Sequence, residues 1–501
     1  MIKKYNYKKL NKSLHLSTEY YTPQKGSYLS IYPRSKLRGI LERWGDKQKG
    51  DILVLVMIFM LVFLIMISGI LGWVTWQNKL NQYKVAYEKA IQVAEAGVNY
   101  YRWHLAHAPN DFQDGTSGPG PYLHNYQDPY GGIVGQFSLE ITPPTTSTTI
   151  VLIKSTGWVS QYSNTKRIIE ARYGIPSLAA YSFISNTNVW FGPTEHIIGE
   201  MHSNGGIRMD GTNDSRITSA KETYNCGPEH GCNPPYEVKP GIWGSGGPQD
   251  LWDFPVTNID FNAITMDLAE IKNQAQANGL YFNKTNKEGY HFQFLNDGTF
   301  NAYKVNETWP SWGYDGSTWA WRYIDIKTEV PLNPFNYSIP ENGIIFAEDN
   351  VWVDGTINGR VTLAAARFPD TPNTNKNIYI NGNINYLAHD GNHALGLIAQ
   401  KDVLIPRYSP SILNIDAVLL AQKGHVFRYY YPGNVLNSIT VYGSIITNTM
   451  WTWSWDCGGW ICSGYENTYS QYDPYLTYSP PPSFPTTGEY EFISWEEKPY
   501  P

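Results

Sequence analysis

The residues best suited to chemistry in this chain are four cysteines, which fall into two close pairs, Cys226 with Cys232 and Cys457 with Cys462. Thiols this close in sequence form local disulfides when the compartment is oxidising. His230 lies between Cys226 and Cys232, so a zinc site is the alternative, although the spacing differs from the usual zinc knuckle. The pattern favours the two local disulfides.

Carboxylates that could serve as a general acid and base are scattered through the second half of the chain, at Asp349, Asp354, Asp370, Asp402 and Asp416. Some β-rich proteins use such carboxylates to cleave polysaccharides. Aspartate also satisfies the backbone of turns, and this role is favoured here. Because no HExxH, GxSxG or P-loop motif accompanies them, we expect no enzyme activity, no cofactor and no bound metal.

Other polar segments are better explained by turns than by a site. His202 and Ser203 are adjacent, so on a strand their side chains would point to opposite faces. The oxygen-rich segments Asp210–Asp214 and Asn296–Thr299 do not continue to the glutamate that closes an EF-hand loop. We therefore expect neither a nucleophile nor a calcium site there.

Aromatic residues cluster around the second cysteine pair, at Trp451, Trp453, Trp455 and Trp460. Such a cluster could stack on sugar rings, which would make surface glycans a partner. It could equally pack around the Cys457–Cys462 loop, and packing is the favoured interpretation.

All these residues follow an uncharged apolar run from Ile52 to Trp73, which as a helix would span about 33 Å, enough to cross a bilayer. Basic residues precede the run, and Trp73 and Trp76 close it. This asymmetry predicts a single span with residues 1–50 as a basic cytoplasmic leader and the rest of the chain outside. A buried helix and a cleaved secretory signal are the alternatives, but no small-x-small cleavage site follows.

The helical pattern continues beyond the run. Apolar residues such as Tyr83, Tyr87, Ile91 and Val98 recur at steps of three and four, and no proline interrupts the chain before His107. We expect one helix over residues 51–105, with a lipid-embedded first part and an amphipathic second part.

Strands follow the helix. Residues 110–130 are rich in Gly, Pro and Asp and predict a loop, after which Gln136–Thr142, Thr149–Val159 and Thr165–Tyr173 predict an antiparallel meander within residues 106–174. Residues 175–501 carry short apolar pieces in partial repeat, and we expect an irregular β-solenoid-like domain with a helix–hairpin insertion near residues 260–305. A β-sandwich is the alternative, and the fold class in either case is α+β.

The charge composition argues against a polyanionic partner. The 501 residues carry a formal net charge of −6, and the basic residues ahead of the apolar run serve to orient it. A chain without a basic field is poorly suited to polyanions, so we expect no nucleic acid partner.

The order of these features resembles the PilX-type minor pilins of type IV pili. The resemblance covers about Gln48 to Tyr173: Gln48-Lys49-Gly50, the apolar run, an amphipathic continuation containing Ala94-Glu95-Ala96-Gly97, and a small meander. It implies cleavage by prepilin peptidase after Gly50, which would leave Asp51 as the first mature residue. Pilins usually start with an apolar residue and carry glutamate at the fifth mature position, where this chain has Leu55. The loss of that glutamate is tolerated in subunits at a fibre tip.

Our leading hypothesis is therefore a structural, pilin-like subunit. It would be held in the bilayer by one span and would join other pilin-like subunits through its helix. The alternative hypothesis is a membrane-anchored surface protein that binds or processes carbohydrate with a β-helix domain.

Overall fold

The computed structural model describes residues 51–145, 148–193, 195–233, 236–261, 263–458 and 460–500. A long N-terminal helix precedes several β-sheets, which confirms the predicted α+β class. The predicted leader, residues 1–50, lies outside the described residues. The chain divides into two compact units, with the boundary between Leu80 and Asn81.

Helix α1 runs from Asp51 to His107, two residues beyond the predicted end. It contains no proline, and glycine is confined to Gly69, Gly72 and Gly97. It stops where Pro109 follows, because a proline disfavours helical geometry in the residue before it.

The strands after α1 form an antiparallel meander in which each strand pairs with the next. They are β1 (Tyr122–Gln127), β2 (Ile133–Thr142), β3 (Ile150–Val159) and β4 (Lys166–Gly174). The expectation of a loop throughout residues 110–130 was wrong for β1. This edge strand is mostly polar and exposed, so it lacks the apolar alternation that marks a half-buried strand.

Short strands then build the β-rich domain. The first group comprises β5 (Phe183–Ser185), β6 (Val189–Phe191), β7 (His196–Ile198), β8 (Met201–Ser203), β9 (Ile207–Met209), β10 (Thr212–Asn213), β11 (Ile217–Ser219), β12 (Thr223–Cys226), β13 (Glu237–Pro240), β14 (Ile242–Trp243) and β15 (Trp252–Asp253). Next come helix α2 (Ala263–Asn278), β16 (Leu280–Phe282), β17 (Gly289–Phe294) and the long strands β18 (Thr299–Tyr314) and β19 (Trp319–Ser338).

The remaining strands complete the domain. They are β20 (Ile344–Ala347), β21 (Asn350–Ile357), β22 (Arg360–Ala365), β23 (Ile378–Tyr386), β24 (Ala394–Ala399), β25 (Val403–Leu404), β26 (Ile412–Ala421), β27 (Val426–Phe427), β28 (Val435–Thr447), β29 (Trp451–Thr452), β30 (Ser454–Asp456), β31 (Ile461–Tyr472) and β32 (Glu491–Lys498).

Parallel pairing stacks these strands as coils. One ladder runs β15, β11, β8, β5, β28, β26, β24, β22, β20, β16. A second runs β17, β21, β23, β25, β27, β29, and a third runs β23, β26, β28, β31, β7, β10. Side chains inside the coils form a continuous apolar core, as in a solenoid-like stack.

The coils do not stack in sequence order. Strand β5, the first of the ladder along the chain, pairs with β28 rather than with an end of the stack. The chain therefore starts in the middle of the stack at β5 and forms one end of it with the strands up to β15. After α2, it forms the other end, beginning with β16. Leu268, Ile271 and Ala275 of α2 are buried on the outer face of the first ladder.

Two segments tie the domain together. The β18–β19 hairpin buries Val305 and Ile324 against the outer face of the second ladder. The last strand, β32, leaves the coils and pairs antiparallel with β4, so the meander becomes a five-stranded sheet in the described chain.

Candidate functional site

The first part of α1 presents an uninterrupted apolar surface. In the described part of the chain it is the one helix long and apolar enough to cross a membrane, and its most apolar window has a mean hydropathy of 3.1 and no buried residue. Each large apolar side chain left in water forgoes about 1.5–3 kcal/mol of burial energy. This surface therefore requires lipid or a neighbouring protein.

The two hydroxyl side chains in that part are satisfied by the helix itself. The Ser68 hydroxyl donates to the Ile65 carbonyl at 2.8 Å, and the Thr75 hydroxyl donates to the Gly72 carbonyl at 2.8 Å. A hydroxyl bonded within its own helix can enter a hydrocarbon environment without an unmet hydrogen bond. Trp73 and Trp76 are exposed at the end of the run, where an interfacial belt is expected.

The part of α1 after Asn81 packs against the meander. Its buried face carries mostly small residues at the near end and larger ones farther along: Ala86, Ala90, Val93, Ala94, Val98, Tyr101 and Leu105. The predicted apolar face is confirmed at Ile91 and Val98, which belong to this core, and was wrong at Tyr83 and Tyr87. Tyr83 and Tyr87 lie at its exposed edge, where Tyr83 packs on Tyr162 with ring centroids 4.8 Å apart.

The Ala94-Glu95-Ala96-Gly97 motif sets how closely the helix approaches the strands. A Cβ on Gly97 would overlap the Ser155 hydroxyl and lie 2.8 Å from Phe137 Cδ2. On the opposite surface, a Cβ on Gly157 would overlap the backbone of Ala94. The contact is therefore backbone against backbone, which small residues alone permit.

Arg167 of β4 joins three elements at the rim of this contact. Its Nη2 lies 2.6 Å from Glu497 Oε2, Nη1 lies 3.5 Å from Glu88 of α1, and the guanidinium stacks 4.3 Å from the Tyr87 ring. The hydrogen bonds to Glu497 raise the pKa of Arg167. Sequence reasoning missed this residue and had no local signal for it, because its partners come from distant segments.

The residues implied by the pilin resemblance lie at the start of α1. Gly50 lies outside the described residues, and Asp51 is the first residue of the helix. Leu55 is exposed within the apolar surface. Cleavage between Gly50 and Asp51 stays a prediction.

The cysteines are joined pairwise as disulfides, Cys226 to Cys232 and Cys457 to Cys462, with Cα atoms 5.7 and 5.9 Å apart. His230 lies inside the first loop, and burial lowers its pKa. No group of three or more metal-binding side chains occurs among the described residues.

The candidate carboxylates are bound by different partners. Each is held by its own neighbours: Asp349 by Lys376, Asp354 by His291, Asp370 by Lys423, Asp402 by the His425 backbone, and Asp416 by His389. His291 also lies 2.9 Å from Glu329, and its ion pairs lock the hairpin strand β19 to the coil strand β21. These contacts position strands and present no nucleophile.

The remaining candidates are also structural. His202 hydrogen-bonds Thr218 and Asn204, and burial lowers its pKa, while the Ser203 hydroxyl donates to the Thr187 carbonyl at 2.7 Å. Asp210 is 2.7 Å from Arg208 Nε, and Asp214 accepts from the Gly199 N–H at 3.0 Å. Asp297, in the other oxygen-rich segment, accepts from the Thr299 N–H at 3.0 Å.

The tryptophans near the second disulfide are divided between core and surface. Trp453 is buried, Trp451 and Trp455 are half-buried, and Trp460 is exposed. Sequence reasoning missed a larger aromatic surface, on the β18–β19 hairpin, whose Trp-rich stretch was the available signal.

No family model matches this chain, and no curated protein matches it. Among solved structures, it is similar to the competence-associated pilin ComZ from Thermus thermophilus, over 83% of this chain and 98% of that chain, with 13% identity and a TM-score of 0.28. This TM-score is too low to establish a shared fold.

Proposed function

We propose that this chain is a structural, pilin-like subunit that assembles through α1 into a type IV pilus or pseudopilus. Residues 1–50 would lie in the cytoplasm, the apolar part of α1 in the bilayer, and the β-rich domain outside. The observation that carries the proposal is the contrast along α1. Its early part is apolar and exposed, with its hydroxyls bonded within the helix, whereas its later part has one face buried on a small antiparallel sheet.

A membrane anchor needs about 20 apolar residues. Helix α1 has 57 residues, so it would extend about 85 Å. The residues beyond that length pack on the meander, and the exposed apolar surface before them can exchange lipid for neighbouring helices on assembly. Neighbouring helices then replace lipid as the apolar surroundings of this surface. The Ser68 and Thr75 hydroxyls keep their hydrogen bonds within the helix.

The size of the β-rich domain supports a position at or near a fibre tip, because so large a domain fits poorly within a uniform helical array. Leu55 supports the same position, since pilins inside a fibre usually carry glutamate there. No observation favours an enzyme, because each candidate carboxylate is engaged by its own neighbours.

Site-specific photocrosslinking tests the proposal. A photoreactive amino acid replaces Leu61, which is exposed in the apolar part of α1, in cells that assemble pili. We expect crosslinks from Leu61 to other pilin-like subunits. The same probe at Tyr130, which is 98% exposed on a loop of the meander, serves as the control and should yield none. Crosslinks to lipid alone from Leu61, together with unchanged pili after gene deletion, would overturn the proposal.

A further inference from the structure

A cleft of about 520 Å³ opens between the two disulfide loops. This volume falls within the roughly 300–1,000 Å³ that is common for small-ligand sites. Its walls include Trp190, Met450, Trp451 and Trp455, with the carboxylates of Glu229 and Asp456 at the edges. Glu229 lies within the Cys226–Cys232 loop, and Asp456 directly precedes Cys457.

One wall is fixed by Arg208. Its guanidinium stacks 4.3 Å from the Trp190 ring, its Nε is 2.7 Å from Asp210, and its Nη1 donates to the His230 carbonyl at 2.7 Å. Asp210 also accepts from Trp190 Nε1 at 2.9 Å. One hydrogen-bonded network therefore holds both the indole and the first disulfide loop in place before any ligand arrives.

The opposite wall is equally well supported. Trp455 Nε1 donates to the Arg428 carbonyl at 2.9 Å, and its ring lies 5.8 Å from Tyr314 and 6.1 Å from Tyr430. Trp451 packs on Phe191 with ring centroids 5.6 Å apart. The walls are thus rigid aromatic surfaces, which lose little conformational freedom on binding.

The polar groups of the lining include several hydrogen-bond acceptors. The Thr187 hydroxyl donates to the Thr449 carbonyl at 3.0 Å, and the Thr452 hydroxyl donates to the Ser454 carbonyl at 2.6 Å. The Thr187 oxygen can still accept, as can the carboxylate oxygens of Glu229. Thr452 Oγ1 also accepts from the Ser454 N–H at 3.3 Å and keeps one lone pair for a ligand. No lysine or arginine lines the cleft in the described part of the chain. Such a lining suits a ligand with several neutral donors.

The cleft continues onto an aromatic platform, which we define as Trp312, Tyr314, Trp319 and Trp321 of the β18–β19 hairpin. Trp312 pairs with Trp321 and Tyr314 with Trp319 across the strands, so all four side chains share one face. The other face, at Gly313 and Ser311, is buried on the domain.

The platform is open, but its rings are not coplanar, because the Trp321 ring is inclined by 64° to the Trp312 ring. The rings of Trp312 and Trp319 are inclined by only 15°, with centroids 6.0 Å apart. These two side chains are 42% and 44% exposed, and Trp321 is 56% exposed. Tyr314 contacts Trp455, so the platform and the cleft form one aromatic track.

From this geometry we infer that the track binds a neutral oligosaccharide, with one pyranose ring in the cleft and further rings along the platform. The C–H faces of a sugar would pack on the indoles, and its hydroxyls would donate to Thr187, Thr452 and Glu229. The inference goes beyond assembly and does not depend on it.

Other ligands fit the track less well. A quaternary ammonium would pack on the indoles and attract the carboxylates, but it carries no hydrogen-bond donor for the threonine acceptors. A nucleic acid strand would stack on the platform but requires basic side chains along its phosphates, which the cleft does not supply.

Calorimetric titration of the full-length protein in detergent tests the inference. The probes are cellohexaose, chitohexaose and mannohexaose, with choline chloride and a thymidine oligonucleotide as competing classes. The variants are Trp190→Ala in the cleft and Trp319→Ala on the platform. The matched control is Trp495→Ala, which removes an exposed tryptophan of β32 away from the track.

We expect at least one hexasaccharide to bind. Each track variant should raise its Kd at least tenfold, whereas Trp495→Ala should leave it unchanged. Trp319 is on an exposed face, so its variant should keep the parent melting temperature and should report on binding even if Trp190→Ala fails to fold. The inference is overturned if none of the sugars binds, if Trp319→Ala binds as tightly as the parent, or if only choline or the oligonucleotide binds.

Discussion

Gly157 of β3 lies directly under Ala94 of α1, with no room between the two backbones for a side chain. A Cβ at position 157 would overlap Ala94 N and lie 2.9 Å from Ala94 Cα. Neither backbone can move without displacing its own helix or sheet. This one contact fixes the distance between the later part of α1 and the meander.

Gly157→Val should therefore push the helix from the sheet. Overpacking of this kind costs about 1–3 kcal/mol, and more where backbone is the obstacle. We expect a lower melting temperature and faster hydrogen exchange of the α1 amides between Ala86 and Leu105. Gly118→Val is the matched control, because open space surrounds Gly118. Equal exchange in both variants would contradict the backbone-contact explanation.

Gly72 offers the opposite case, since no heavy atom lies within 4 Å of the position that a Cβ on this residue would occupy. Gly72→Leu should leave the folded subunit unchanged but obstruct a neighbouring helix, because small residues allow transmembrane helices to approach closely. We expect the yield of crosslinks from Leu61 to fall severalfold. Leu71→Met, which conserves volume at the adjacent position, should not change it. Undiminished crosslinking in Gly72→Leu would show that this surface faces lipid in the assembly.

The elements predicted from sequence were those with strong local signals. The uncharged run and the absence of proline made α1 predictable, and apolar alternation marked β2 and β3. Strand β1 was missed because its side chains are mostly exposed. The pairing of β5 with β28 could not be predicted, because no local feature records which coil lies above which.

The candidate sites were likewise predictable only where the signal lay in a short segment of sequence. Close spacing made the disulfides predictable. The cleft between the loops depends on Arg208, which reaches Trp190, Asp210 and His230 only after the coils have stacked. Likewise, Trp312 and Trp321 form one surface only in the register of the β18–β19 hairpin.

His291 should make the stability of the β-rich domain depend on pH. Burial alone would lower its pKa, but hydrogen bonds to Asp354 and Glu329 outweigh burial and raise the pKa from 6.5 to about 9. The folded state therefore keeps a proton that the unfolded state releases above pH 6.5. The resulting stabilisation, on the order of 3 kcal/mol, is fully present below pH 6.5 and is lost as pH rises through 9.

Thermal unfolding between pH 6 and 10 measures this effect. The parent should lose more stability across that interval than His291→Gln, which keeps the shape of the side chain but does not titrate. The variant should also be less stable than the parent at pH 6. Parallel pH profiles for the two proteins would exclude a role for the His291 proton.

Processing at the start of α1 gives the last prediction. If prepilin peptidase cleaves after Gly50, the exported protein begins at Asp51, and the helix starts with a free amino group. We expect N-terminal sequencing of protein from pilus-forming cells to start at Asp51. Gly50→Leu should block cleavage and yield a protein heavier by the leader, whereas Lys49→Arg, which keeps the basic charge, should be processed normally. A native sequence that begins at Met1 would show that the leader stays attached and that α1 continues from a tethered segment.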